Sequence, residues 1–475
     1  MKKHIINTIL ILITAVVLCG VVSAADYTVG PTETYTTIQS AVNVATDGDN
    51  INVNPNNGNP YVETVNINHD LTVKANGQVT VQAPTPASDI FNIQSSGDGT
   101  TIQGFTINGP TTARGVFIDH ADNCKIINNT IVNCLDGVQA QNSNNVEISG
   151  NTISYTGSDY AYGIYSEHGS TGVFSDNTIT MTGNGVGDCY GIFAEGASHK
   201  ITGNTITITN TGTGTATAIL LESQSGSGHN IEVSYNTILA DAINNGESAL
   251  DFAETHSDHA FGNNILGGQI ANRGSDNHLN FNRIVGYQFI GAVGEVTLDA
   301  LYNWYGSNSD PGSIMHTVEG ATINYNPWLV MNINADPTTI YTGQTSTITA
   351  DVYKDSANGD HSADASKFFS GPQVTFTTNL GNVGSKSITV DWNFGSATAI
   401  LRGDEGAGSA TVTAADGQVV STIVNILQAP TVNAATTTAA TGNTVGMQTT
   451  GAPLVPLALA VLSVLGGFAV THRKQ

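Results

Sequence analysis

Asn129-Thr130-Ile131, Asn151-Thr152-Ile153, Asn177-Thr178-Ile179, Asn204-Thr205-Ile206 and Asn236-Thr237-Ile238 are one short string written again and again along the chain. Degenerate copies follow at Asn263-Asn264-Ile265 and Asn282-Arg283-Ile284, and the first three spacings are 22, 26 and 27 residues. A second string keeps step: Gly115-Val116-Phe117-Ile118-Asp119, Gly137-Val138-Gln139-Ala140-Gln141, Gly163-Ile164-Tyr165-Ser166-Glu167, Gly191-Ile192-Phe193-Ala194-Glu195 and Ala218-Ile219-Leu220-Leu221-Glu222. A third apolar position, at Ile126, Ile148, Phe174, Ile201 and Val233, precedes each Asn by three. Each unit thus offers three short apolar segments separated by Gly, Asn and Ser turns. Such β-branched pieces, broken by Gly and Asn, cannot build a helix. They predict coils of a parallel β-helix, with like residues of successive coils stacked about 4.8 Å apart. Leucine-rich repeats would need recurrent Leu and a helix per unit, and propeller blades about 40 residues. The recurrent Asn is expected in a turn column, because Asn tolerates the left-handed region and stacked amides bond along a ladder. Alternation puts Ile164 and Ser166 inside, Tyr165 and Glu167 outside.

A solenoid needs covered ends. Thr36-Thr37-Ile38-Gln39 matches a capping box, and Ile38, Ala41, Val42 and Ala45 share one helix face before Gly48. A capping helix over 36–47 is expected. At the far end, Tyr302-Asn303-Trp304-Tyr305-Gly306 and Tyr325-Asn326-Pro327-Trp328 gather bulky rings into a hydrophobic lid, so the β-helix is expected to occupy 25–328. From residue 329 to 428 the pattern changes. Thr345–Val352, Gln373–Thr378, Ser396–Leu401, Ser409–Ala414 and Ser421–Ile426 alternate at period two between turns such as Asn358-Gly359 and Asp416-Gly417. An immunoglobulin-like β-sandwich without a disulfide is expected there.

Composition agrees with an exported all-β protein. The chain has 475 residues, 14 Lys+Arg against 38 Asp+Glu, a net charge of −24, and only 11% charged residues. That excludes nucleic acid as a partner, since no basic stripe could neutralise phosphates. Residues 1–24 read as a signal peptide, with Lys2 and Lys3 before an apolar run and a cut after Ala24. The Thr/Ala-rich stretch 429–451 reads as a linker, and 452–471 as a transmembrane helix followed by a basic cytoplasmic tail, 472–475. The expected location is therefore the cell surface, anchored at the C-terminus. Cys124, Cys134 and Cys189 fit no zinc spacing, and their pairing is open.

Several stretches carry a resemblance. Thr37-Ile38-Gln39-Ser40-Ala41-Val42 through Gly48-Asp49-Asn50-Ile51-Asn52-Val53, with the Asn-Thr-Ile coils, resembles NosD-like right-handed parallel β-helix proteins. Asn303-Trp304-Tyr305-Gly306-Ser307-Asn308 and Asn326-Pro327-Trp328-Leu329 are similar to the terminal coil of adhesin-like surface proteins of methanogenic archaea. Residues 333–426 resemble invasin/intimin-type Ig-like domains, through Thr345-Ser346-Thr347-Ile348-Thr349-Ala350-Asp351 and Val374-Thr375-Phe376. The resemblance implies a surface adhesin or envelope protein, although such repeats also serve lyases and metal-delivery proteins.

No catalytic residue is assigned. The cations Arg114, Arg273, Arg283, Lys74, Lys125 and Lys200 form no cluster beside an Asp pair, as a polyuronate lyase would need. A polysaccharide lyase or hydrolase is the alternative reading, and a purely structural envelope component a second one. The outward column through Asp119, Gln141, Glu167, Glu195 and Glu222 offers stacked carboxylates; Glu167, Glu195 and Glu222 would suit Ca²⁺, and would equally well only solvate the face. Phe117, Tyr165 and Phe193 form a partial aromatic column, and the Tyr155–Tyr162 loop adds Tyr160 and Tyr162. These rings are the expected contact for an extracellular glycan or a neighbouring cell, although aromatic ladders also stabilise sheets. His256 with His259 is a faint metal hint, and Asn128-Asn129-Thr130 is a glycosylation sequon.

Overall fold

The computed structural model describes residues 23–196, 198–223, 229–242, 247–286 and 289–431. Most of the expected signal peptide and linker, and the whole of the expected 452–471 anchor and 472–475 tail, lie outside these residues. Among the described residues no helix is long and apolar enough to cross a membrane.

The three apolar positions of each unit become three parallel sheets of thirteen, eleven and ten strands. In the first, Ile126, Ile148, Phe174, Ile201 and Val233 align coil upon coil. In the third, Ile131, Ile153, Ile179, Ile206 and Ile238 do the same. In the second, Val116, Val138, Ile164, Ile192 and Ile219 align. All of these are buried, so a continuous core runs along the solenoid. The glycine that opens the second string is required by close approach. A Cβ added at Gly163 would stand 2.5 Å from Gly191 O and 2.8 Å from Ile179 Cγ2.

The asparagines form a buried ladder. Asn151 N and Nδ2 both donate to Asn177 Oδ1, at 2.9 and 3.0 Å, and Nδ2 reaches back to Ile126 O at 2.8 Å. The same pattern runs through Asn129, Asn151, Asn177, Asn204, Asn236, Asn263, Asn282 and Asn303. The left-handed conformation expected of these residues belongs instead to the position before each of them. Asn128, Asp176, Tyr235, Phe281 and Tyr302 have φ of +55° to +60° there, and Gly150, Gly203 and Gly262 share the column. The turn residue bends the chain; the Asn that follows fills the corner.

The capping helix is shorter than expected, Ile38–Val42 in place of 36–47. Thr37, not Thr36, is the N-cap and accepts from Ser40 N. Ile38 N and Gln39 N donate to Glu63, whose carboxylate comes from a later coil. Ala45 keeps its place in the core through a turn, so the apolar period outlasts the helix.

Beyond the solenoid, a three-stranded sheet and a five-stranded sheet, built from Leu329–Asp336 to Gln418–Leu427, enclose a second core. The expected lid is divided between the two cores. Tyr305 and Tyr325 pack against the solenoid core, whereas Trp304 is fully buried in the second. The described residues up to Ala429 form one compact unit.

Candidate functional site

Within the solenoid the second sheet has the longest strands, among them Asp136–Gln141, Ala161–Glu167, Cys189–Glu195 and Ala216–Glu222. Their outward side chains form three columns. One runs Phe117, Gln139, Tyr165, Phe193, Leu220, and the next Asp119, Gln141, Glu167, with Glu195 and Glu222 continuing it. Sequence reasoning found both and missed the third, which holds the residue before the small residue that opens each string, Gly137, Gly163, Gly191 or Ala218: Asp136, Tyr162, Tyr190, Thr217. Register alone could have found Tyr190 and Asp136, since they precede Gly191 and Gly137 as Tyr162 precedes Gly163.

The rings meet across these columns. Tyr162 stacks on Tyr165 at 4.4 Å and 13°, and on Tyr190 at 5.0 Å and 9°. Tyr162 therefore stacks with two parallel partners, and Tyr165 and Tyr190 each stack with Tyr162. Phe193 meets all three edge to face, at 5.1 to 5.7 Å, and is buried beneath them. Phe117 does not join this ridge, because Gln139 intervenes and the Arg114 guanidinium lies 3.7 Å from its ring centroid. Tyr160 stands apart on the adjoining loop, 56% exposed. Tyr155 belongs to the core rather than to that loop, at 2% exposure within the strand Thr152–Gly157.

A polar chain borders the ridge. Arg114 grips Asp89 through Nε at 3.1 Å and Nη2 at 2.8 Å, and donates through Nη1 to Gln139 Oε1 at 2.9 Å. Gln139 Nε2 in turn donates to Glu167. His168 Nδ1 lies 3.1 Å from Glu167 Oε2, and His168 N donates to Glu195 Oε2. Glu167, His168 and Glu195 therefore bring their ligand atoms within 4.8 Å of one another. This set differs from the expected Glu167, Glu195 and Glu222 by a histidine, a donor that suits Zn²⁺ and other transition ions better than Ca²⁺. Burial, then the charges of Glu195 and Glu254, raises the carboxyl of Glu222.

Burial also governs the ridge. It pushes Tyr162 up to about 12 and, with Glu167 bonded to Tyr165 and Asp188 beside Tyr190, raises both neighbouring phenols. All three stay neutral hydroxyls at physiological pH. Asp136 is pushed up to about 7, by burial first; Arg114 opposes the shift, and Asp89 and Glu167 add to it.

The remaining expected residues lie elsewhere. Asn128 is exposed at its turn, open to modification. His256 bonds Ser275 Oγ at 2.5 Å, whereas His259 stacks on His278 at 4.6 Å and 2° beside a concavity of about 330 Å³. Cys124, Cys134 and Cys189 are buried and free, the first two pushed up to about 12 by burial and hence unreactive.

Known proteins bear on this geometry. Residues 90–284 match the family model described as a right handed beta helix region. A cell surface glycoprotein of Methanothermus fervidus is 30% identical over 128 residues, 26% of this chain and 20% of that protein. The match therefore spans about a fifth of that relative's length. Among solved structures, an alginate lyase from Paenibacillus sp. str. FPU-7 is 13% identical, over 63% of this chain and 99% of its own, with a TM-score of 0.26. A tailspike protein of E. coli bacteriophage HK620 in complex with a pentasaccharide is 9% identical over 84% of each chain, also at 0.26. Scores that low carry no argument about chemistry.

Proposed function

We propose that this chain is an adhesin-like cell-surface protein that holds extracellular glycans on the tyrosine ridge of a rigid β-helix. The observation that carries the reading is the ridge itself: Tyr165, Tyr162 and Tyr190 stacked on a strand-built face, with Tyr160 exposed beside them. Stacking on a sugar ring suits such rings, because each presents an apolar face and a hydroxyl at its rim. The −24 charge, the leader-like start and the apolar segment 452–471 support export and anchorage, and the likeness to an archaeal cell surface glycoprotein supports a surface location. We read the two-sheet unit as Ig-like and as the part that displays the solenoid. Its five-stranded sheet, with one short strand parallel to the last strand, supports that assignment.

A carbohydrate-retention assay tests the reading. Replacing Tyr160, Tyr165 and Tyr190 together by Ala should abolish retention of glycans that the unmodified protein holds, since stacking contacts contribute roughly 0.5–1.5 kcal/mol each. Unchanged retention would sink it. Repeating the measurement with and without added divalent cation tests whether Glu167 and Glu195, with His168, hold an ion beside the ridge. Polysaccharide cleavage is the second reading, favoured by the position of Asp136, a buried carboxyl in register with Tyr162 that burial pushes up to about 7. Release of shortened oligosaccharides by the protein would establish it.

A further inference from the structure

The first sheet carries an outward column of its own. Glu232, His259, His278 and Asp299 stand in register on four successive coils, while their strand neighbours Val233, Ala260, Leu279 and Leu298 point into the core. The two imidazoles lie parallel, with centroids 4.6 Å apart and planes at 2°. In the sequence His259 looked like a partner of His256, but His256 is taken by Ser275 and the neighbour of His259 comes from the next coil.

Asp299 decides how His278 presents itself. Its Oδ1 accepts from Asn280 Nδ2 and Leu301 N, both at 3.3 Å, which leaves Oδ2 for His278 Nδ1 at 3.0 Å. A carboxylate only accepts, so Nδ1 carries the hydrogen and Nε2 keeps a free lone pair. A carboxylate behind the far nitrogen is also what fixes the ring of a metal-binding histidine and raises its basicity. Among the described residues, the ring nitrogens of His259 have no hydrogen-bond partner. Both rings line the concavity of about 330 Å³, with Phe281 and Lys367 also on its wall. Lys367 is paired with Asp364 at 2.9 Å and Lys200 with Glu232 at 3.1 Å, whereas no Lys or Arg among the described residues pairs with Asp299. The charge of Asp299 therefore favours a cation at this point of the column.

We propose that His259 and His278 are the two protein ligands of a divalent transition ion of the Zn²⁺ kind, held with its remaining positions open to the concavity. Imidazole donors suit Zn²⁺, Ni²⁺ and Cu²⁺, whereas Ca²⁺ and Mg²⁺ take oxygen. Metal–nitrogen bonds of about 2.0–2.1 Å at a tetrahedral angle set the two nitrogens about 3.4 Å apart. The rings therefore splay from their stack toward the ion, by side-chain rotation beside an open space and without movement of the strands. Water, or a donor from a surface partner, fills the open positions. Asp299 is a positioning residue: it touches His278 and not the ion. The site lies on a different sheet from Glu167, His168 and Glu195, and it stands apart from the glycan reading.

The experiment measures Zn²⁺ binding by titration calorimetry, with Ca²⁺ as the comparison, on the full chain carrying His168→Ala, so that the cluster on the second sheet lacks its histidine. The tightest Zn²⁺ site should weaken at least about tenfold when His259→Ala or His278→Ala is added, and about tenfold or more with Asp299→Ala, which leaves both donor nitrogens in place. His259 is exposed, so its replacement reports the loss of a ligand and not of the fold. Saturating Zn²⁺ should also raise the melting temperature of the His168→Ala chain, and should raise it less once His259 is gone. Zn²⁺ affinity unchanged in both histidine variants would overturn the site, and so would Ca²⁺ bound as tightly as Zn²⁺. A loss in the histidine variants with none in Asp299→Ala would establish the pair as ligands and overturn the positioning role of Asp299.

Discussion

Asp258 accepts the N–H of Ile231 through Oδ1 at 2.8 Å, while its Oδ2 is buried without a partner. Burial, the leading cause, pushes its carboxyl up to about 6 against opposing hydrogen bonds. A native value above the unfolded one means that the folded chain holds more protons between about pH 4 and 6, so stability falls as pH rises through that window. Above it the full penalty is present, about 2–3 kcal/mol from a shift of this size. The next coil shows the remedy, because Asn277 Oδ1 accepts from Asp258 N at 3.0 Å with the same geometry and no charge. Asp258→Asn should therefore raise the melting temperature at pH 8 and change it little at pH 4; an equal shift at both pH values would contradict the assignment. Nothing in the sequence marks Asp258, since its burial depends on how the neighbouring coils stack, with Ile231 before it and Asn277 after it. The ridge residues differ in this respect. Tyr165 and Glu167 were legible from alternation, whereas Tyr190 and Asp136 lay one position outside the string that alternation was applied to.

At the scale of the element, the coil was legible because three apolar positions keep phase with a polar one, and each apolar position became one sheet. What spacing could not reveal was which polar residue turns and which one bonds. Asn tolerates both roles, and here the residue before it takes the turn, as Asn128 and Asp176 do. The capping helix was overestimated for a related reason: core-facing period continues through a turn when the backbone beneath it is held, as Ala45 shows. The ladder asparagines are where the coils bind one another through side chains. Asn177 accepts from Asn151 N and Nδ2 and donates to Ile148 O and Asn204 Oδ1, all within 2.8 to 3.0 Å. Asn177→Ala would take a partner from Asn151 N, Asn151 Nδ2, Ile148 O and Asn204 Oδ1, at roughly 1–3 kcal/mol for each group left unsatisfied. We expect a loss of about 3 kcal/mol or more in urea titration, far above the cost of replacing the exposed Asn128 in the turn column two coils earlier. Equal effects at the two positions would show that the ladder is not what joins the coils.

At the scale of the whole molecule, one carboxylate joins the solenoid to the two-sheet unit. Asp416 Oδ2 accepts from Arg283 Nε at 2.9 Å, from Trp392 Nε1 at 2.8 Å and from Trp304 Nε1 at 3.3 Å, and Arg283 Nη2 donates to Oδ1. Arg283 and Trp304 belong to the last coils, Trp392 and Asp416 to the sheets beyond. The backbones also close on each other there, for a Cβ at Gly417 would stand 2.4 Å from Gly306 O. Composition and periodicity could place the two folded parts in order, but not this contact, whose partners are separated by more than a hundred residues. Arg283 looked in the sequence like one of a few scattered cations, and its burial makes it structural. Removing one member of a buried ion pair leaves the other charged and uncompensated, at roughly 3–5 kcal/mol, whereas replacing both by apolar residues of similar size is often near neutral. Asp416→Asn should therefore lower stability by several kcal/mol, and the loss should fall on the union of the two parts. In calorimetry we expect the single transition of the unmodified protein to divide, with the two-sheet unit melting first and the solenoid close to its original temperature. The double replacement Arg283→Met with Asp416→Leu should restore part of the loss. A single transition in Asp416→Asn at an unchanged temperature would mean that the junction is held by the packing of Trp304 and its neighbours, and that the carboxylate contributes little.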